Sequence, residues 1–230
     1  KAVNIQGSDH HGTIARVRCG LQCCALARQM SIPKEFPEYI LHKMLSVVKD
    51  GEPVKMSKRS GNYVTLRDLV DMAGQDAARF FLVARKADAE FVFDINLAQQ
   101  KSDENPVYYL QYAHARICSV LKKLEAAGVT FEGADALDAS LLTDHSEQAL
   151  LRLLSAFPAE IAAAAEKYDP ARITRYVIDI ATAFHRFYNA CRILEADPAV
   201  RQCRMALCLA VRSVIRNVLT MFKVTVPESM

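Results

Sequence analysis

Past Asn96 the sequence carries helical periodicity almost without interruption to its last residues. The stretch LAQQKSDENPVYYLQYAHARICSVLKKLEAAG, residues 97–128, reads as one long helix. It is kinked or restarted at Pro106, where proline lacks the amide that an interior turn needs, and it stops at Gly128. Two later helices are announced by aspartate followed by proline: Asp169 with Pro170, and Asp197 with Pro198. In each pair the aspartate is placed to cap the free amides, and proline occupies the first helical position. The loop GVTFEGADALD, residues 128–138, joins two of these helices. Amphipathic helices in this number bury their apolar stripes against one another, so the second half is expected to be an all-helical bundle. There is no internal repeat and no low-complexity tract, although EIAAAAEK is locally rich in alanine.

The first part is patterned differently. Residues 2–6, AVNIQ, form a short apolar stretch that opens into the polar turn GSDHHG. Ile14, Val17, Leu21, Cys24 and Ala25 then recur at helical spacing, so the order is strand, turn, helix. EYILHKMLSVV follows as a second strand, apolar on both faces as a strand covered on both sides would be. A basic loop comes after it. Both polar clusters therefore sit just past strand ends, the edge where open α/β sheets bind ligands. Thr65 is placed to cap the helix LRDLVDMA, Gly74 to end it and Asp76 to start AARFFLVARK, with DAEFVFDIN as an extended connector. The expected fold class is α/β followed by all-α. Residues 1–75 would be a Rossmann-like part, 76–100 a helical connector and 101–230 the bundle.

At 230 residues there is room for two modest domains, and with 51% apolar residues a sizeable core is available. No run approaches the roughly 18 apolar residues that a membrane helix needs, so a soluble chain with no membrane partner is expected. A net charge of +3 does not by itself point to nucleic acid. The seven cysteines form no C-x-x-C pair, so free thiols in a reducing cytoplasm are expected rather than zinc. The chain starts at Lys1 and enters a strand at once, which reads as a chain cut inside a larger protein.

Two short stretches suggest chemistry. Lys55, Met56, Ser57, Lys58 and Arg59 lie in one loop between Gly51 and Gly61. Lysine ammonium groups there could follow a polyphosphate as its charge shifts during attack at the α-phosphorus; a solvated hairpin that happens to be basic is the alternative. In GSDHHG, Gly7 would let a nucleotide approach the backbone, and Asp9 is placed to accept from ribose hydroxyls. His10 and His11 with that aspartate could equally be metal ligands, though no further ligand cluster follows at a useful spacing.

The bundle offers a third set. Arg201, Arg204, Arg212 and Arg216, spaced 3, 8 and 4 apart, fall within an arc of about 120° on one helix. Such a stripe suits phosphates, unless it is only a solvated face. Tyr108, Tyr109, Tyr112, Phe187 and Tyr188 could stack on unpaired bases, although most aromatics at helical spacing are core. Arg79 and Phe80 read as structural, and His114, Arg116 and His185 as satisfied surface or interhelix groups.

GSDHHG followed by KMSKRSGNYVTL resembles the catalytic core of class I aminoacyl-tRNA synthetases, whose second signature is KMSKS. The last position departs from it. SDHHGTIARV, KMSKRSGN, DAARFFLVARKADAEFVFDINLA and ENPVYYLQYAHARI narrow the likeness to the bacterial-type arginyl-tRNA synthetases. FHRFYNACRIL and RMALCLAVRSVIRNVLTMFKVTVPESM are similar to that family's C-terminal anticodon-binding (DALR-type) domain, so the resemblance covers essentially the whole chain.

That resemblance implies ATP-dependent activation of L-arginine to arginyl-adenylate, transfer to arginine tRNA, and Mg²⁺ arriving with ATP. It would place Lys55 and Lys58 in catalysis. Gly7, Asp9, His10, His11, Lys55, Met56, Ser57 and Lys58 would bind ATP, and Tyr112, Tyr188 and Met230 would form the anticodon-loop pocket beside the four arginines. It also implies a cytoplasmic monomer. No HIGH-type first signature lies in these residues, so a C-terminal portion inactive on its own is expected. A tRNA-binding module without catalysis is the alternative. Cysteinyl-tRNA synthetase is a sister possibility, opposed by ENPVYYLQYAHARI and by the missing zinc-ligand spacing.

Overall fold

The computed structural model describes residues 1–54, 64–135 and 137–230. The chain groups into two compact units: the described part of Lys1–Tyr63 with Arg85–Asp94, and Val64–Ala84 with Ile95–Met230.

In the first unit β1 (Val3–Gly7) and β2 (Glu38–His42) pair in parallel, Val3 opposite Glu38 and Gly7 opposite His42, around the intervening helix α1 (Ile14–Ala27). A parallel pair needs such a crossover, which is why the strand, turn, helix order is visible in the sequence. The single strand expected over EYILHKMLSVV is instead two. β2 ends at His42, and β3 (Leu45–Lys49) joins a different sheet, antiparallel to β4 (Glu52–Pro53) and parallel to β5 (Phe91–Asp94). The Lys43 amide between them donates to the Ala87 carbonyl, 2.8 Å. Nor are these strands covered on both sides: Ala25, Val47 and Phe93 are the buried residues among those described in this unit, while Ile5, Leu26 and Met44 stand in solvent.

The second unit opens with α2 (Leu66–Ala73) and α3 (Gln75–Val83). Thr65 caps α2 as expected, its hydroxyl accepting from the Asp68 amide while Asp68 accepts from the Thr65 amide. Gly74 ends α2 and begins α3 at φ 83°, ψ 153°, a conformation that only glycine adopts without strain.

The helical stretch of residues 97–128 restarts at Pro106, as expected. α4 (Ile95–Gln99) ends before a short loop, and α5 (Pro106–Ala126) starts afresh with proline at its first turn. Asn105 causes the break. It is buried, accepts from the Val107 amide to cap α5, and donates to the carbonyls of Ala98 and Gln100.

The bundle is completed by α6 (His145–Lys167), α7 (Pro170–Ala190) and α8 (Pro198–Met221). Its core follows the 3- and 4-residue spacing of an apolar stripe: Leu110, Ile117 and Leu124 on α5, Val177, Ile180, Phe184 and Phe187 on α7, and Val211, Ile215 and Val218 on α8 are almost fully buried. Asp197 caps α8 through the Ala199 amide. Asp169 precedes Pro170 as expected but makes no side-chain cap bond. The chain reverses there through Tyr168 in the left-handed region, φ 51°, and leaves Asp169 at φ −111°, ψ 82°, away from the extended geometry of the Asp144 cap. Among the described residues no helix is long and apolar enough to cross a membrane.

Candidate functional site

Helices α5 and α7 place an aromatic and basic cluster on one side of the bundle. Tyr108, Tyr112 and Arg116 are four residues apart and share one face of α5, and His185 and Tyr188 are three apart on α7. The Tyr108 and Tyr112 rings lie nearly parallel, 6.4 Å apart, and Tyr112 stacks on His185 at 5.9 Å. The Arg116 guanidinium sits over two rings at once, 4.7 Å from Tyr112 and 5.1 Å from Tyr188. It also donates to the Tyr112 hydroxyl at 2.6 Å and to His185 Nδ1 at 3.3 Å. An open cavity of about 580 Å³ is bounded here by Lys101, Asp103, Tyr112, Arg116, His185 and Asn189.

Arginine only donates, so His185 Nδ1 must accept and the ring proton of the neutral imidazole sits on Nε2, which is buried without a partner. Burial first, and then the nearby Arg116 charge, push the His185 pKa below its ordinary value, with Asp103 opposing. His114, buried on α5, is likewise lowered by burial and by Arg212 and Arg216, against its bond to the Pro227 carbonyl and the Glu228 charge.

These shifts have a consequence for stability. The unfolded chain takes up protons at both histidines near pH 6.5, whereas the folded chain does so only at lower pH. The unfolded state therefore binds more protons in that window, and stability falls as pH drops below about 6.5. Thermal melts at pH 7.5 and 5.5 should show this loss, and a His114→Asn/His185→Gln variant should show less of it. Equal losses would contradict the assignment.

The expected arginine stripe on α8 is only partly open. Arg204 is drawn inward, its Nε donating to Glu147 at 2.6 Å and its Nη1 to the Arg192 carbonyl. Arg201 donates to the Ala196 carbonyl, and its Nε is buried without a partner. Arg212 is half-buried, whereas Arg216 is exposed and lines a surface groove with Phe157 and Met221. Helical spacing put the four on one arc, but the neighbours of α8 decide which guanidinium groups face solvent. Tyr112 and Tyr188 are brought together through Arg116. Met230 is 57% exposed and does not line their cavity.

In the first unit Gly7 ends β1, and Asp9, His10 and His11 occupy the 3₁₀ turn Ser8–Thr13, all three exposed. The turn lies past the carboxyl end of β1, beside that of the parallel β2. His10 Nε2 is 3.7 Å from the Asp9 carboxylate, and a Cβ added at Gly7 would collide with that carboxylate. Glycine at position 7 leaves room for the Asp9 carboxylate to fold back over the strand end. Lys55, Met56, Ser57, Lys58 and Arg59 lie outside the described residues. Among the described residues no group of three histidine, cysteine, aspartate or glutamate side chains could hold a metal ion.

Two members of the cluster were not singled out as candidate site residues in the sequence. Arg116 and His185, read as satisfied interhelix residues, do bond to each other between α5 and α7, and in doing so they organise the tyrosine cluster. The spacing of Tyr112 and Arg116, four apart on one helix, was the available signal for the arginine. His185 comes from α7, and nothing local links it to Tyr112.

Comparison with known proteins bears on both halves. The profile of the DALR anticodon binding domain matches residues 110–230, and that of the class I tRNA synthetases (I, L, M and V) matches residues 9–96. The chain is 52% identical over 229 residues to the arginine–tRNA ligase of Bordetella pertussis, and 52% identical over 232 residues to that of Methylibium petroleiphilum. Each alignment covers all of this chain and 40% of the relative, so the chain spans well under half the length of these curated relatives. A structure described as an arginyl-tRNA synthetase from Campylobacter jejuni superposes with a TM-score of 0.84 at 31% identity, over 100% of this chain and 48% of that one. The Thermus thermophilus arginyl-tRNA synthetase shares the fold with a TM-score of 0.72 at 23% identity, over 99% of this chain and 41% of that one.

Proposed function

This chain belongs to the family of the DALR anticodon binding domain, and from that premise and its likeness to arginine–tRNA ligases we propose that the helical unit binds the anticodon loop of arginine tRNA as part of such a ligase. The observation that carries the reading is the Tyr112, Arg116 and Tyr188 cluster beside an open cavity, within the residues matched by the anticodon binding domain. Tyrosine faces accept unpaired bases, and a guanidinium held over two rings offers a cationic plane to a base or a phosphate. Arg216 adds a solvent-facing charge for the backbone of the same RNA.

The first unit contributes, in this reading, to ATP-dependent activation of arginine. The arginine carboxylate attacks the α-phosphorus and pyrophosphate leaves; a hydroxyl of the terminal ribose of the tRNA then attacks the arginyl carbonyl and AMP leaves. Lys55 and Lys58 would carry the charge that builds on the triphosphate, aided by Met56 and Ser57 of the same loop. Gly7, Asp9, His10 and His11 would line the adenosine side, past the carboxyl end of β1. Mg²⁺ arrives with ATP as its counter-ion.

A titration of the 230-residue chain with arginine tRNA and with an unrelated tRNA, across a salt series, tests the anticodon-loop reading. Tighter binding of arginine tRNA that weakens when its anticodon is changed is expected. Equal binding to both, with the same steep salt dependence, would leave only phosphate attraction and overturn the reading.

A further inference from the structure

Helix α1 carries three of the seven cysteines, Cys19, Cys23 and Cys24, and all three are exposed. Cys118, Cys191, Cys203 and Cys208 are buried in the helical unit. Two polar side chains set the way α1 faces. Arg18 donates to the Pro37 carbonyl at 3.2 Å, pairs with Glu35 at 2.6 Å and lies over the Tyr39 ring of β2, 5.4 Å from its centre. Gln22 donates to the Pro33 carbonyl at 2.9 Å. With half-buried Ile14 and Leu21 and buried Ala25, they form the stripe that α1 turns inward. At about 100° per residue, Cys19 and Cys23 come roughly 120–160° round from the middle of that stripe. The two thiols are one turn apart on the face open to solvent, and Cys24 stands about 100° away from Cys23.

The spacing decides what this pair can do. Residues four apart on a helix have their Cβ atoms about 5–6 Å from each other. A disulfide needs about 3.5–4.5 Å, so the two thiols cannot close on each other while α1 is helical. A cation held linearly between two thiolates needs more room. With the zinc–thiolate bond of about 2.3 Å as the scale, its two sulfurs lie roughly 4.6 Å apart, which rotation about χ1 reaches from this backbone. Zinc itself does not suit the place, because it takes four ligands. Among the described residues no group of three or more histidine, cysteine, aspartate or glutamate side chains could hold a metal ion. Two thiolates without further ligands select a soft ion that accepts low coordination, as Cu(I) does.

We propose that Cys19 and Cys23 form a two-coordinate thiolate site for a soft, thiophilic cation of the Cu(I) class. On binding, each thiol gives its proton to solvent and each sulfur donates a lone pair to the metal, with no change of oxidation state. The bridge spans one turn of α1 and carries one net negative charge. Exposed Arg16, three residues before Cys19 on the same face, supplies a positive charge beside it. Both cysteines lie outside the residues matched by the anticodon binding domain, so the site stands independently of the RNA reading.

An anaerobic titration of the reduced 230-residue chain with Cu(I), in competition with a chromophoric Cu(I) chelator, tests the site, and a parallel titration uses Zn(II). One tightly held Cu(I) per chain is expected, with Zn(II) held more weakly. Cys19→Ser and Cys23→Ser should each weaken Cu(I) binding by more than about tenfold, a loss that metal sites show even when only a supporting partner is removed. Cys24→Ser should bind like the parent. All three positions are exposed, so the serine variants should keep the parent's thermal midpoint. Parent-like Cu(I) affinity in Cys19→Ser or Cys23→Ser overturns the proposal. Equal losses in all three variants mean a diffuse thiol cluster and overturn the two-coordinate site, and Zn(II) bound as tightly as Cu(I) overturns the choice of ion. An intrachain disulfide between Cys19 and Cys23 formed by diamide in the metal-free chain would overturn the spacing argument itself.

Discussion

Glu147→Ala is expected to destabilise the helical unit by about 3–5 kcal/mol, the cost of leaving a buried charge without its partner. Glu147 is fully buried, with 0% of its surface exposed. Its Oε1 accepts from Arg204 Nε at 2.6 Å, and its Oε2 accepts from the Asp144 amide at 2.9 Å, closing the capping box at the start of α6. Alanine removes both acceptors together. The Arg204 guanidinium, with 17% of its side chain exposed, then keeps the Arg192 carbonyl as a hydrogen-bond partner but loses its buried counter-ion. Urea denaturation at neutral pH measures the effect. A loss below about 1 kcal/mol would place the pair with ordinary surface ion pairs and contradict the buried geometry. Glu147→Leu combined with Arg204→Met should recover most of the stability, because an apolar pair carries no desolvation cost.

Arg116→Ala is expected to weaken binding of arginine tRNA by about 1–3 kcal/mol, roughly five- to 150-fold, comparable to the loss of a base-stacking platform. The substitution strips a cation from two rings, a donor from the Tyr112 hydroxyl and a donor from His185 Nδ1. Tyr112 then loses its fixed orientation as well as its charge partner. Arg116→Lys should not restore affinity, since an ammonium group cannot lie flat between two rings and donate to both neighbours. Tyr112→Ala should cost a similar amount, and the double variant less than the sum, because both changes dismantle one platform. The thermal midpoint of Arg116→Ala should stay near that of the parent, separating recognition from folding. Parent-like affinity in Arg116→Ala would remove the cluster from the proposed interface.

Much of the fold was legible because its determinants are local. Thr65 caps α2, and Gly74 divides α2 from α3, each acting within a few residues of its own position. Proline at the start of α7 and α8 marks two helices at the correct residue. The strand, turn, helix order around GSDHHG is local in the same sense. The strand that was read as one depends on a distant partner. EYILHKMLSVV has the composition of one strand, but the Lys43 amide is taken by Ala87 and the chain changes sheet. The restart at Pro106 was legible from the proline; what the sequence did not show is that buried Asn105 holds the break, bonding the Ala98 and Gln100 carbonyls.

By itself the sequence determined which segments are helices, where most of them start, which residues face a core, and the family to which the chain belongs. Those properties depend on caps, periodicity and motif text, which act over a turn or two of chain. Only the tertiary structure decided which polar groups remain available for a ligand. Arg204 faces inward because Glu147 lies 57 residues away in sequence and directly beside it in space. The segment after α8 is anchored because Thr225 meets Asp76 across a separation of 149 residues. Arg116 became the centre of the candidate site once α7 laid His185 and Tyr188 against it. A charged side chain acts through the partners within its few ångströms of reach, and only the packing of helices sets those partners.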